Sequence, residues 1–98
     1  MEIKVSHNLS DADALIRIKK LIIETKKEFV NNISNPSEKW DLNIYKFKFS
    51  ANQMTITGVI QLNNQSVIVS VNLPFLLLAF KHRIKQTVED SLKSALHK

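Results

Sequence analysis

Apolar and polar residues alternate at the start of the chain. Ile3, Val5 and His7 share one parity of the stretch Glu2 to His7, and Lys4 belongs to the other. A period of two is typical of a strand with one face turned toward a core. The pattern therefore predicts a short first strand.

A helical spacing replaces this alternation after Ser10. Ser10 and Asp13 form a capping-box-like pair, which predicts a helix that begins at Ser10. Asn35-Pro36-Ser37 is predicted to end the helix, because a residue before proline is displaced from the α region. One line of side chains recurs at steps of three and four, at Leu15, Ile18, Ile22, Thr25, Phe29 and Ile33.

Three strands are predicted in the middle of the chain, at Trp40 to Phe49, Met54 to Leu62 and Ser66 to Leu73. The first of them changes its apolar parity midway, which we interpret as a bulge or a bend. Asn63-Asn64-Gln65 is predicted to form a hairpin turn, since Asn tolerates positive φ.

Pro74 suits the first position of a last helix, which is predicted to extend to about Leu96. The element order is then β-α-β-β-β-α. We expect one α+β domain over residues 1–98, in which two helices pack on one face of a four-stranded, mainly antiparallel sheet.

Composition restricts the chemistry. The 98 residues contain no cysteine and carry a formal net charge of +5, which excludes disulfides and favours anionic partners. The N-terminus lacks the apolar run of a secretory signal, so we expect a soluble, cytoplasmic protein. His7, His82 and His97 are not spaced as metal ligands, and we expect no metal and no cofactor. No catalytic motif stands out, which argues against an enzyme.

The stretch Tyr45-Lys46-Phe47-Lys48-Phe49 combines rings and positive charge, as single-strand nucleic-acid platforms do. Alternation nevertheless places the rings on one face and the lysines on the other. We therefore interpret the rings as core. Nucleic-acid binding through the basic face remains the alternative function.

Two apolar features exceed what helix packing requires. Ile16, Ile23 and Val30 recur every seven residues away from the main helical face. This stripe suits a partner helix or a second copy of the chain, and equally suits burial under the edge of a curved sheet.

The second feature is the stretch Leu73 to Phe80, which is apolar on every side of the predicted helix start. Burial against Trp40 and the strand ends is the interpretation that we favour. The other is a docking patch for a protein, a lipid or a hydrophobic particle, centred on Phe75 and Leu78. The basic residues that follow would help adhesion to an anionic surface.

These motifs together resemble a known family, the putative polyhydroxyalkanoic acid system proteins, named for the association of their genes with polyester-granule genes. The motifs are His7-x-Leu9, Ala14 with Arg17, Trp40, Phe47-x-Phe49, Gly58 and Leu73-Pro74-Phe75-Leu76-Leu77. The chain departs from the family where Ala51-Asn52-Gln53 lacks the usual glycine and where Pro74 replaces glycine. The resemblance covers nearly the whole chain and brings no catalytic residues.

The resemblance implies a non-enzymatic accessory or binding protein. We expect it to dock on a protein partner, on itself or on a hydrophobic granule or lipid surface. The expected contacts are Ile16, Ile23, Val30, Phe75 and Leu78. Carriage of a small apolar ligand is a third possibility, and it requires a cavity.

Overall fold

The computed structural model describes residues 1–97, and Lys98, the last residue of the predicted domain, lies outside the described residues. The elements are β1 (Glu2–Ser6), α1 (Asp11–Glu28), β2 (Ser34–Asp41), β3 (Ile44–Ala51), β4 (Met54–Asn63), β5 (Ser66–Asn72), a 3₁₀ helix (Phe75–Phe80) and α2 (Lys81–Leu96). The predicted α+β class is confirmed.

Five strands form one antiparallel sheet in the order β1-β5-β4-β3-β2. The register places Ile3, Val69, Ile60 and Tyr45 side by side across four strands. Residues in register point to the same face of a sheet, so this row defines the inner face. Both helices lie on that face, as the sequence predicts.

The core lies between the inner face of β1 and β5 and the two helices. Its buried side chains are Ile3, Val5, Ala14, Ile18, Leu62, Val67, Val69, Leu92 and Leu96. Ile18 and Val67 are completely buried. The apolar side chains that follow the period of two on the strands therefore pack against those that follow the helical spacing, and together they form one apolar layer.

The prediction of four strands is wrong, because the predicted strand Trp40 to Phe49 is a hairpin of β2 and β3. Trp40 pairs with Tyr45 across a two-residue turn at Leu42 and Asn43. A strand that reverses after two turn residues changes the parity of its inward side chains. The midway change of parity is thus the signature of a turn rather than of a bulge.

The start of α1 is as predicted, because the Ser10 hydroxyl accepts a hydrogen bond from the Asp13 N–H at 3.1 Å. Its predicted end is wrong. The helix ends at Glu28, and Asn35 and Pro36 belong to β2. Because β2 is an edge strand, its open side leaves room for a residue without an N–H donor.

The last helix also begins later than predicted. Pro74 precedes a 3₁₀ helix, Phe75–Phe80, and α2 starts only at Lys81. The Leu77 N–H donates to the Pro74 carbonyl at 2.9 Å. This i→i+3 spacing is that of the tighter 3₁₀ winding.

Candidate docking surface

Four aromatic side chains form a row along β2 and β3: Trp40, Tyr45, Phe47 and Phe49. We call them the ring row. Neighbouring ring centroids lie 4.9, 5.8 and 6.1 Å apart. The row belongs to the inner face, because Tyr45 is in register with Ile60. Tyr45 is buried, with 5% of its surface exposed, and the other three rings are half-buried.

The lysines of β3 lie on the outer face of the sheet. Lys46 and Lys48 alternate with the rings and are exposed, and Lys46 is in register with Lys39 on β2. Successive side chains of a strand point to opposite faces. The prediction that rings and lysines are separated is confirmed, and the basic outer face carries no ring of this row.

A glycine makes room for the ring row. Gly58 on β4 is in register with Phe47, and a Cβ atom at Gly58 would lie 2.2 Å from Phe47 Cζ. That distance is far shorter than any contact between two carbon atoms. The tip of the Phe47 ring therefore occupies the space of a Cβ atom on β4, which only glycine leaves free.

Polar contacts connect α1 to the ring row. The Lys26 ammonium lies 2.6 Å from one Glu38 carboxylate oxygen, and the Tyr45 hydroxyl donates to the other. Lys19 stands 5.2 Å above the Trp40 ring, within cation–π distance. The hydrogen bonds from Lys26 and Tyr45 lower the pKa of Glu38. Burial, together with the bond to Glu38, raises the pKa of Tyr45.

The 3₁₀ helix Phe75–Phe80, which we call the apolar segment, is open to water. None of its residues is buried, and Phe75 is 83% exposed. Its exposed large side chains are Phe75, Leu76, Leu78 and Phe80. Within the described chain, the segment packs against α2 and against no strand.

The expected burial of Leu73 to Phe80 against Trp40 is therefore wrong. Trp40 packs against the Tyr45 ring and lies under Lys19. The segment winds onto the start of α2 instead of folding back over the sheet, so its side chains extend beyond the core. Large exposed apolar patches of this kind mark interaction sites in soluble domains.

The net positive charge of the chain lies in one stretch of the sequence, and this stretch includes the apolar segment. Residues 43–88 contain five of the fourteen Lys and Arg residues and none of the nine Asp and Glu residues. The rest of the chain holds nine of each, so the formal net charge of +5 belongs to this stretch. Three of its basic residues, Lys81, Arg83 and Lys85, directly follow the segment and are exposed.

The two helices run antiparallel. The Arg17 guanidinium donates to the Ala95 carbonyl at 3.3 Å, and Glu24 and Asp90 line one groove between the helices. The end of α1 therefore points toward the same end of the molecule as the start of α2. Exposed Phe29 and Val30, just beyond α1, lie toward the end that carries the apolar segment.

The predicted stripe on the first helix is exposed but shorter than expected. Ile16 and Ile23 are 65% and 53% exposed on α1. Val30 is exposed too, but it lies beyond Glu28, the last residue of the helix. The expected heptad continuation is wrong at Val30, because the helix ends before it. Burial of the stripe under the sheet edge is likewise wrong.

Histidine and acidic side chains do not converge on one point. His7 is buried, its Nδ1 accepts the Leu9 N–H at 3.1 Å, and its Nε2 has no partner among the described residues. His97 Nε2 lies 2.9 Å from the Ser6 carbonyl. Among residues 1–97, His, Asp and Glu side chains form no group of three that could hold a metal ion.

Two surface depressions of the domain are open to solvent. One of about 580 Å³ lies over β3, β4 and β5 on the sheet, and one of about 560 Å³ lies between the helices. Neither is an enclosed chamber. Within residues 1–97, no helix combines the length and the hydropathy needed to cross a bilayer.

A protein-family model matches nearly the whole chain. The model of the putative polyhydroxyalkanoic acid system proteins matches residues 1–96. The chain belongs to this family. The resemblance seen in the sequence is thereby confirmed. No curated protein and no solved structure matches the chain significantly. The description of the polyhydroxyalkanoic acid system family names a cellular context and no molecular role.

Sequence reasoning named Phe75 and Leu78 as the centre of a patch within Leu73 to Phe80. Both are exposed, and so are their neighbours Leu76 and Phe80. The net positive charge of residues 43–88 was also missed, although a count of acidic residues along the chain is enough to reveal it. The Lys26–Glu38–Tyr45 contacts have no sequence signal, because they join residues that only folding brings together.

Proposed function

We propose that this protein is a non-enzymatic accessory protein that docks on a hydrophobic surface through the apolar segment. In the polyhydroxyalkanoic acid system, that surface is the polyester granule. The observation that carries the proposal is the exposure of four large apolar side chains on six consecutive residues: Phe75, Leu76, Leu78 and Phe80.

The size of the segment suits reversible docking. Transfer of one fully exposed Leu or Phe side chain out of water contributes about 1.5–3 kcal/mol. The four side chains are between 49% and 83% exposed, so together they contribute about 4–8 kcal/mol. Association of a free protein costs an estimated 4–15 kcal/mol. The two terms are of similar size, which supports a bound state that forms and dissociates rather than a permanent anchor.

The segment is also placed to reach a surface without unfolding the domain. The core of the domain consists of strand and helix residues outside Phe75–Phe80. Neither the ring row nor its polar contacts involve the segment. Insertion of the segment therefore leaves the interior unchanged.

The test is sedimentation with polyhydroxyalkanoate particles. The wild-type chain is expected to sediment with the particles, and the double variant Phe75→Ser, Leu78→Ser is expected to stay in solution. Leu42→Ser is the matched control, since Leu42 is 89% exposed at the β2–β3 turn. Failure of the wild type to sediment, or equal binding of all three chains, would overturn the proposal.

Self-association through α1 is a second candidate, favoured by the exposure of Ile16 and Ile23. In that case Ile23→Asp, in the middle of the exposed helix face, should convert a dimer into a folded monomer. Light scattering measures the mass. A mass for the wild type that equals one chain would remove this candidate.

A further inference from the structure

The basic residues beside the apolar segment form no ion pair within residues 1–97. Lys81, Arg83 and Lys85 occupy the first turns of α2, and all three are exposed. Among residues 1–97, the ion pairs are Lys26–Glu38 and Lys93–Glu89. The three cations are therefore free to interact with charges outside the chain.

From this arrangement we infer that the apolar segment enters a layer of anionic phospholipid that covers the hydrophobic surface on which the protein docks. The inference rests on the proposed function and names the chemistry of its surface. Apolar side chains at a protein–lipid boundary enter the acyl region, while basic side chains contact the anionic headgroups. The chain presents these two groups in immediate succession, Phe75–Phe80 and then residues 81–85.

The dimensions fit such a boundary. At about 2.0 Å per residue, the six residues of the 3₁₀ helix span roughly 12 Å. Amphipathic elements bury their apolar side chains about 5–10 Å into the headgroup and acyl boundary. In an end-on orientation of the segment, the side chains of residues 81–85 stand at the level of the phosphates when its tip reaches the acyl chains.

Charge complementarity selects an anionic layer rather than a neutral one. A Lys or Arg close to such a layer strengthens binding by roughly 5-fold, and three strengthen it by roughly 100-fold. Residues 43–88 contain no acidic residue, and the acidic residue at the end of α1, Glu28, follows the basic Lys26 and Lys27. The lysines of the outer sheet face, Lys46 and Lys48, lie on the side of the sheet away from the helices.

Vesicle partitioning tests the inference. Neutral phosphatidylcholine vesicles are compared with vesicles that also contain phosphatidylglycerol, at low and at high salt. The wild-type chain is expected to bind the anionic vesicles roughly 100-fold more tightly at low salt, with a preference that shrinks as salt rises. Equal partitioning into both kinds of vesicle would overturn the inference.

Two charge-reversal variants locate the effect. Lys81→Glu with Arg83→Glu is expected to remove the preference for anionic vesicles. Lys46→Glu with Lys48→Glu changes the net charge equally on the outer sheet face and is expected to keep most of it. If the second pair abolishes the preference as fully as the first, net charge alone explains the binding and the inference is wrong.

The two proposals fail separately. If Phe75→Ser with Leu78→Ser stops binding to polyhydroxyalkanoate particles while lipid charge has no effect, the proposed function stands and the lipid inference falls. If anionic vesicles bind that double variant as tightly as the wild type, the contact is purely electrostatic. That result contradicts the lipid inference, whereas the proposed function falls only if the double variant also sediments with the polyhydroxyalkanoate particles.

Discussion

The ring row and the apolar segment are the two most aromatic and apolar surfaces of the molecule. The ring row is largely packed inside the protein, whereas the apolar segment is exposed to water. Tyr45 is 5% exposed, whereas Phe75 is 83% exposed. The rings are separated by lysines along the strand, whereas the segment has no polar residue at all. A list of hydrophobic residues alone would rank the segment as the more deeply buried of the two.

The difference shows that burial requires a partner surface as well as apolar side chains. Alternation gives β3 one apolar face. On that face Phe47 lies over Gly58 of the neighbouring strand β4, and Lys26 of α1 bonds Glu38 of the neighbouring strand β2. A helix that is apolar on every side needs cover all round. Among the elements of residues 1–97, only α2 packs against the apolar segment.

Removal of one ring from each surface is the strongest way to break this comparison. Tyr45→Ala is expected to lower the free energy of unfolding by about 3 kcal/mol, because it leaves a cavity at a buried position between Trp40 and Phe47. Phe75→Ala is expected to change it by less than about 0.5 kcal/mol. Urea denaturation measures both. Similar losses for the two variants would contradict the distinction between a packed and an open surface.

The glycine under the ring row gives the next largest effect. Gly58→Val puts a side chain where the Phe47 ring lies and should cost about 1–3 kcal/mol through overpacking. The matched control is Thr57→Val, on the outer face of the same strand, which is expected to be nearly neutral. A Gly58 variant as stable as wild type would mean that the ring row tolerates displacement of Phe47.

The polar contacts of the ring row predict a pH dependence that the apolar segment lacks. The pKa of Glu38 lies below its ordinary value of about 4.3, because Lys26 and Tyr45 hydrogen-bond its carboxylate. Ionised Glu38 therefore contributes stability above the unfolded-state pKa, and this contribution is lost as pH falls through the lower folded-state pKa. The pKa of Tyr45 is raised, so its contribution is lost as pH rises above about 10.

Substitution of Glu38 isolates this effect. Glu38→Gln should lower stability at neutral pH by about 0.5–1 kcal/mol, a small value because the pair is partly exposed. It should also flatten the acidic side of the stability profile. Glu28→Gln, at the exposed end of α1, serves as control. An unchanged acidic profile in the Glu38 variant would show that these contacts do not stabilise the ring row.

The β3–β4 turn gives the smallest effect. Asn52 and Gln53 both have positive φ, 50° and 66°, a backbone conformation that glycine adopts without strain. Gln53→Gly is expected to raise stability by about 0.5 kcal/mol. Glycine relieves the backbone strain of the folded state, and this gain exceeds the cost of the extra conformational entropy that glycine gives to the unfolded chain. Gln61→Gly, within β4, should instead lower it. A rise in thermal midpoint for both variants would show that turn strain is not the cause.

Much of the fold could be predicted from local patterns. Ser10 caps α1 as its spacing with Asp13 indicated, and the strand of Ile3 and Val5 contributes to the core with the expected face. The β2–β3 hairpin was missed because a turn at Leu42 and Asn43 carries no glycine, although Leu42 has a φ of 56°. Pro36 was taken for a helix terminator, since an edge strand cannot be recognised before the strand order is known.

The features of the candidate docking surface were likewise only partly predictable from the sequence. The sequence by itself determined which residues are apolar at Phe75–Phe80, where the positive charge lies, and which face of β3 carries the rings, because each follows from composition or from a period of two. Only the tertiary structure decided that the rings meet α1 and β4 while the segment meets water. The direction in which a 3₁₀ helix leaves the sheet depends on how α2 packs on β1, through contacts between residues far apart in the chain.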